Sequence, residues 1–386
     1  MTSQTSSFDI AIHGAGFVGR TLALLLAQQG MRVALIADET SAARAAPDIR
    51  AFALSLASKE VLERVQAWPA LDAITPVYSM QVFGDSGGEL VFDRPQAGAD
   101  QPLNWIVDVS LLEQALKERV AREPTMVSLA GDAVVQATLH VVCEGRASAA
   151  IQKLSLIREV ISYPQHAVAA RLTCELPHAN VARQWFNERG EVLALLPMQG
   201  GAGHEVALVW SLESNRAKEM LVASDADFTA ALQACLDGAL GAMQLSSPRA
   251  AWPLTLTRSQ TWANASPDGG VWVLAGDAAH TVHPLAGQGL NLGLGDAAHL
   301  AKTLQAVQAG SPLFKPTQTQ LLRALRSYAR ARQAAAAETG FLTDGLHLLF
   351  ARDGLFVTRA RNLGMLWLNR ATHIKRLLIK KAQSAV

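Results

Sequence analysis

Apolar residues near the N-terminus fall into three short blocks. Residues 8–13 (Phe-Asp-Ile-Ala-Ile-His) have the pattern of a buried strand ending at glycine. Thr21 to Gln29 predicts an alanine- and leucine-rich helix closed by Gly30, and Arg32 to Ala37 predicts the next strand. Strand, turn, helix and strand thus follow within about 30 residues, the length of a dinucleotide-binding unit. After a loop, 48–66 predicts a helix. Residues 76–94 alternate around Gly87-Gly88, the pattern of a hairpin. Leu111 to Arg122 predicts a helix, and His140 to Cys143 a short strand running into Glu144-Gly145. From 161 to 270 alternation dominates. Ala167–Leu172, Val192–Leu196 and Glu205–Leu212 predict antiparallel strands, with one helix near 225–240. Val271 to Ala275 returns to the buried-strand pattern. Helices over 289–305 and 316–339 follow, the first with an apolar stripe of Leu290, Leu294, Ala297, Ala301 and Leu304.

Composition narrows the class. The 386 residues are 50% hydrophobic and 17% charged, enough for two interlocked domains. A net charge of +1 gives no whole-molecule attraction to nucleic acid, and no such partner is expected. Cys143, Cys174 and Cys235 lie far apart without metal-ligand spacing, which points to a reducing compartment. The residues before Phe8 are polar and uncharged, so no signal peptide is expected, and no apolar run is long enough to span a bilayer. The expected location is the cytoplasm, with a peripheral place on the inner membrane as an option.

Two glycine-spaced segments carry the chemistry. The first is Gly14-x-Gly16-x-x-Gly19, after a strand and before a helix. There the first glycine permits a tight turn, the second lets backbone N–H groups approach a diphosphate, and the third lets helix and strand pack closely. The helix N-terminus adds unpaired donors and partial positive charge. The acidic residue expected to grip the adenosine ribose belongs at position 37, which is Ala37. Either Asp38, which follows, reaches the ribose through a one-residue shift or that contact is missing, and Asp38 as an ordinary turn or helix-cap residue is the competing reading. The second segment runs from Val273 through Gly276-Asp277-Ala-Ala-His280 and Pro284-Leu-Ala-Gly287-Gln288-Gly289-Leu290-Asn291. A carboxylate at Asp277 can accept hydrogen bonds from ribityl hydroxyls, and the following helix start can face the pyrimidine end of a flavin, where reduced flavin is negative. His280 and His283 are assigned to loop structure, and no metal site is expected. One glycine segment near each end is the arrangement a large FAD molecule needs. The expected fold is therefore α/β: a Rossmann-like FAD-binding domain interlaced with an antiparallel-sheet substrate domain, plus C-terminal helices. The expected boundaries are 1–75, 104–160 and 271–345 for the first, 76–103 and 161–270 for the second, and 346–386 for a C-terminal segment.

These motifs resemble those of the class A flavoprotein monooxygenases, and more narrowly the ubiquinone-biosynthesis hydroxylase family. Further likenesses are Asp48-Ile-Arg50-Ala-Phe-Ala-Leu-Ser55 with Trp68, Pro177-His178, Ala182-x-x-Trp-Phe186, Leu193-Ala-Leu-Leu-Pro197 and Ala360-Arg361-Asn362-x-Gly364. The similarity spans residues 8 to 380. Three departures stand out: Glu144-Gly145 where the family places Asp-Gly, a short stretch from Asp108 to Glu144, and Ala37.

The resemblance implies a fold, a cofactor and a reaction. NAD(P)H reduces FAD, O₂ gives a flavin C4a-hydroperoxide, and an electron-rich ring is hydroxylated, so the cofactor carries the hard step. No nucleophile–base–acid set is found and no catalytic side chain is assigned; the pocket is expected near Pro284 and Gly287. By resemblance, Gly14, Gly16 and Gly19 hold the diphosphate and Arg50 sits near the flavin, though a surface ion pair is the competing reading. Gly276 and Asp277 meet the ribityl side, and Pro284, Gly287, Gln288, Gly289, Leu290 and Asn291 line the ring. Trp210, Phe186 and Leu196 are candidates for the pocket wall, with core packing the stronger reading. The implied substrate is a polyprenylated phenol in ubiquinone biosynthesis, with a ubiquinone-biosynthesis complex as an optional partner. Two alternatives stay open: hydroxylation of a small soluble aromatic, and a non-catalytic flavin-binding accessory subunit.

No acidic residue follows Asp353, while Arg359, Arg361, Arg370, Lys375, Arg376, Lys380 and Lys381 do. Leu363, Leu366, Trp367, Ile374, Leu377 and Leu378 fall among them at helical spacing. Two readings stand: a basic amphipathic helix over 354–386 that lies on anionic lipid, and a helix that caps the fold with solvated lysines.

Overall fold

The computed structural model describes residues 7–37, 48–84, 87–94, 101–131, 133–145, 154, 156–187, 190–266, 270–281, 288–309, 311, 313–351, 364–365 and 367–383, with the backbone alone over 340–351. Asp38, Pro284 and Gly287 lie outside these residues, as do His283, Leu363 and Leu366.

The predicted strand–helix–strand unit is present. Strand Phe8–His13 leads to helix Phe17–Ala27 and strand Val33–Ala37. The first strand is the pivot of a six-stranded sheet. On one side it pairs in parallel with Val33–Ala37, which pairs with Met126–Ala130. On the other it pairs in parallel with Ala137–Val142, which pairs with Val271–Leu274, and Ala263–Ala265 closes that edge antiparallel. Strand order therefore reverses beside the glycine turn, the place where open α/β sheets bind ligands. One face is packed by Ile10, Ile12, Leu139 and Val141 against Leu22, Leu25 and Leu26 of the first helix and Leu294, Ala297, Leu300 and Leu304 of helix Gln288–Gln308.

A larger sheet of nine strands supplies the antiparallel part. Its backbone is the strand Arg158–Cys174, flanked by Glu205–Glu213 and Ala250–Ser259. Val192–Pro197, Val181–Phe186 and the hairpin Ser79–Phe83/Glu89–Asp93 extend one side, as the alternation predicted. The pairing of Val181–Phe186 with Ser79–Phe83 is the parallel exception. Trp210 is fully buried edge-on to Phe228, and Phe186 packs with Leu90, Val192 and Met365, so both are core. Leu196 packs in a small cluster with Ala51, Val77, Ile106 and Met198.

Two expectations fail locally. The predicted helix over 48–66 is a strand, Ala51–Leu54, followed by a shorter helix, Leu56–Arg64. The strand forms because it pairs antiparallel with Asn104–Asp108, which also pairs with Ile74–Val77. A distant partner thus outweighs local helix propensity. The single helix expected near 225–240 is Asp225–Gln233, preceded by another at Ser214–Val222.

The C-terminal segment corrects one residue assignment. Lys375 is not a solvated cation. Its side chain is 1% exposed, and its Nζ donates to the carbonyl of Val91 at 2.6 Å and to Oδ1 of Asn369 at 3.1 Å. Asn369 Oδ1 also accepts from Val91 N at 3.1 Å. Val91 lies on the outer strand of the hairpin, so Lys375 and Asn369 satisfy a sheet edge that would otherwise be open. Burial pulls the Lys375 ammonium pKa down, with partial opposition from Asp93. Replacing Lys375 with Ala is expected to lower unfolding stability by about 1.5–3 kcal/mol, measurable by urea titration.

Candidate functional site

Three strand ends meet at one edge of the six-stranded sheet. His13 is in register with Val142, which is in register with Leu274. The chain segments leaving them are Gly14–Gly16, Cys143–Gly145 and Ala275–Asp277. Gly14 N donates to Ile36 O, Cys143 N to His13 O and Ala275 N to Val142 O, which locks the three together.

The three motif glycines do different work. Gly14 has φ +108, and a Cβ there would lie 2.6 Å from Glu144 N. Gly19 is tighter still, since a Cβ would lie 1.9 Å from the Gly14 carbonyl oxygen. Both are required by the protein's own packing. Gly16 is different. It has ordinary extended backbone, and a Cβ there would meet nothing within 4 Å. Gly16 is also the N-cap of helix Phe17–Ala27, with no side-chain cap and no acidic residue in the first turn. An open cradle at an uncapped helix N-terminus fits a diphosphate.

The second glycine segment closes on the first through one side chain. Val18 sits beside Gly276, where a Cβ would come within 3.1 Å of it, and beside Gly293, where the distance would be 2.5 Å. Gly276 also has φ +63, so glycine is needed there for backbone reasons too. The first turn of helix 17–27, the turn at 276–278 and the second turn of helix 288–308 are thereby held in contact. Gly289 faces open space as Gly16 does, and Gln288 and Leu290 beside it are half-buried. Asp277 is exposed between buried neighbours, at the tip of the 276–278 turn. Arg158 reaches its carbonyl at 3.5 Å. Burial lowers the Arg158 pKa, and the Asp277 charge partly restores it. Nothing in the sequence marked Arg158.

Arg50 makes a two-armed ion pair with Asp48, with Nε–Oδ1 at 2.8 Å and Nη2–Oδ2 at 2.6 Å. Its guanidinium also lies over the rings of Phe52 and Trp252. Phe52 in turn meets Phe17, the residue after Gly16, edge to face. The arginine is therefore built into the wall next to the glycine turn, and Trp252 brings the nine-stranded sheet to it.

Asn291 is placed differently from the expectation that it lines the ring. It is 1% exposed, and its amide is committed to the protein. Oδ1 accepts from Ser55 N at 2.9 Å and Ser58 Oγ at 2.7 Å, while Nδ2 donates to Ala53 O at 2.8 Å. It holds the helix start onto the 51–58 segment. Asn291→Ala strands those partners and is expected to cost about 1–3 kcal/mol in the apoprotein, read by chemical denaturation.

A buried charge network lies beneath. Asp296, fully buried in helix 288–308, accepts from Gly276 N at 2.8 Å, His280 Nε2 at 2.8 Å and Arg332 Nε at 2.7 Å. Arg332 also donates to Leu292 O at 3.0 Å, and His280 stacks on Trp262. Burial alone would raise the Asp296 pKa; His280 and Arg332 reverse this and hold the carboxyl below its ordinary value. Asp296 thus fixes the turn that presents Asp277. A lone acid inside an apolar helix was the available signal, but its partners lie far along the chain.

The fold and this two-ended glycine site are those of a dinucleotide-binding flavoprotein. Residues 114–338 match the family model described as an FAD binding domain. A curated relative, ubiquinone hydroxylase UbiL of Rhodospirillum rubrum, is 31% identical, covering 98% of this chain and 90% of its own. The 3-demethoxyubiquinol 3-hydroxylase of Escherichia coli is 28% identical, with 99% of each chain covered. Among solved structures, PqsL of Pseudomonas aeruginosa, a probable FAD-dependent monooxygenase, shares the fold with a TM-score of 0.72 at 20% identity, covering 94% of this chain and 100% of that one. The chain belongs to the ubiquinone-biosynthesis hydroxylase family of FAD-dependent monooxygenases. FAD is its cofactor, and dependence on NAD(P)H and O₂ fits the family.

Proposed function

We propose that this chain hydroxylates the ring of a polyprenylated phenol in ubiquinone biosynthesis. The observation that carries the reading is the convergence of the Gly14–Gly19 and Gly276–Gly293 segments on Val18, together with the family membership. FAD supplies oxygen activation and transfer. Backbone N–H groups at Gly16 and the start of helix 17–27 seat the diphosphate, and Asp38 holds the adenosine ribose. Asp277 accepts hydrogen bonds from the ribityl side, with Asp296 fixing its turn. Arg50, clamped by Asp48, Phe52 and Trp252, stands at the wall of the cofactor site. Pro284, Gly287 and the Gln288–Leu290 helix start line the ring, and the substrate approaches between them and the nine-stranded sheet. The domain boundaries we infer are those given by the sequence, with 76–103 and 161–270 on the substrate side.

Anaerobic mixing of holoprotein with NADH or NADPH tests turnover. Bleaching of the flavin's visible absorbance, accelerated by a polyprenylated phenol, supports the hydroxylase. Acceleration by small soluble phenols alone favours the small-aromatic alternative, and no bleaching under any condition favours an accessory subunit. Deleting the gene and identifying the accumulating quinone precursor by mass spectrometry tests the pathway; an unchanged quinone profile counts against it.

A further inference from the structure

The docking of the C-terminal helix leaves one of its faces exposed among the described residues. Helix Thr372–Gln383 turns Lys375 and Ile379 inward, where Lys375 caps the Val91 edge. Lys381 pairs with Glu338 of the long preceding helix, which fixes the helix from a second side. With the orientation set, Ile374 and Leu377, three residues apart, share the outward face, and Leu377 is 68% exposed. Trp367, on the helical turn before, is 63% exposed. The exposed cations Arg370 and Lys380 lie three residues from Trp367 and Leu377 respectively, with His373 and Arg376 exposed beside them.

Other large apolar side chains, Leu71, Val134 and Val222 among them, are also exposed, but here three are interleaved with exposed cations within fourteen residues, 367–380. Charge is the second observation. The whole chain carries +1, yet no aspartate or glutamate occurs from 354 to 386. The positive charge is concentrated on the segment that presents Trp367, Ile374 and Leu377. Among the described residues no helix is long and apolar enough to cross a membrane. A basic face with a tryptophan and two aliphatic side chains, fixed on a folded body, has the chemistry of an interfacial contact.

We propose that this face, Trp367, Arg370, Ile374, Leu377 and Lys380, docks the enzyme on the surface of an anionic lipid bilayer. Trp367 and Leu377 enter the headgroup layer while Arg370 and Lys380 pair with lipid phosphates. Lys375, buried on the opposite side, takes no part. The proposal does not rest on the hydroxylase reading.

The test is flotation of the full-length FAD-loaded protein with vesicles that contain no quinone. One set is phosphatidylglycerol with phosphatidylethanolamine, the other phosphatidylcholine alone. The wild type is expected to float with the anionic set and to be released by high salt. Arg370→Glu with Lys380→Glu is expected to reduce the bound fraction about tenfold or more. Trp367→Ser with Leu377→Ser is expected to reduce it severalfold. Lys375 and Asn369, which hold the hairpin edge, are left intact in these variants, so flavin content and circular dichroism serve as folding controls. Wild type that stays in the aqueous fraction with anionic vesicles overturns the proposal, as does equal flotation of folded wild type and variants. Retention on an immobilised acidic protein surface without vesicle binding overturns it in favour of a protein partner.

Discussion

Gly16→Val is expected to yield a folded protein that no longer holds FAD, whereas Gly19→Ala is expected to fail at the level of the fold. The contrast follows from where each missing side chain would go. At Gly16 a Cβ meets no protein atom within 4 Å, and the backbone is in a region every residue adopts. Branched bulk there fills the space the diphosphate needs and blocks approach to the helix N-terminus. FAD affinity should fall at least ~100-fold, about 2.8 kcal/mol at 1.4 kcal/mol per decade, while the urea midpoint of the apoprotein changes little. At Gly19 the Cβ would lie 1.9 Å from the Gly14 oxygen, so helix and strand must move apart. A loss of about 3 kcal/mol or more in the apoprotein is expected. Titration of flavin fluorescence and urea denaturation, run on both variants, separate the two effects. Equal loss of stability in both would show that Gly16 is a packing glycine.

Arg332→Met is expected to be the most damaging single change away from the glycine turns. It removes the permanently charged partner of a carboxylate with no exposure, leaving Asp296 to His280 and the Gly276 N–H. Breaking a buried pair in this way costs about 3–5 kcal/mol. The loss should be accompanied by weaker FAD binding, because the 276–278 turn that presents Asp277 hangs on the same carboxylate. Arg332→Lys should recover part of the stability but not the bond to Leu292 O, which the guanidinium makes with a second nitrogen. Asp296→Asn tests the linkage. The folded pKa of Asp296 lies below its ordinary value. The carboxylate therefore contributes stability that is fully present above the unfolded pKa, about 3.9, and is lost as pH falls through the lowered folded value. The stability gap between wild type and Asp296→Asn should be constant near neutrality and shrink below about pH 4. A gap that does not change with acid would assign the effect to packing.

Much of the fold was legible because its demands are local. A buried apolar block, a glycine turn and an alanine-rich helix need only neighbouring residues to be recognised, and 8–37 folds as its pattern requires. The hairpin around Gly87-Gly88 was readable for the same reason. What was missed depends on partners far away in sequence. Ala51–Leu54 becomes a strand because Asn104–Asp108 lies beside it. Asn291 binds Ser55 and Ser58, more than two hundred residues earlier. Lys375 matched the basic pattern of an amphipathic tail, yet its ammonium closes a strand edge even farther away in sequence. Periodicity identifies which face of a helix is apolar, but not which charge is spent on a distant carbonyl.

Diffraction from FAD-saturated crystals tests the central claim most directly. One FAD per chain is predicted, with its diphosphate within hydrogen-bonding distance of the backbone at Gly16 and the start of helix 17–27, and its ribityl side against Asp277. FAD held by only one of the two segments, or bound elsewhere on the molecule, would contradict the account.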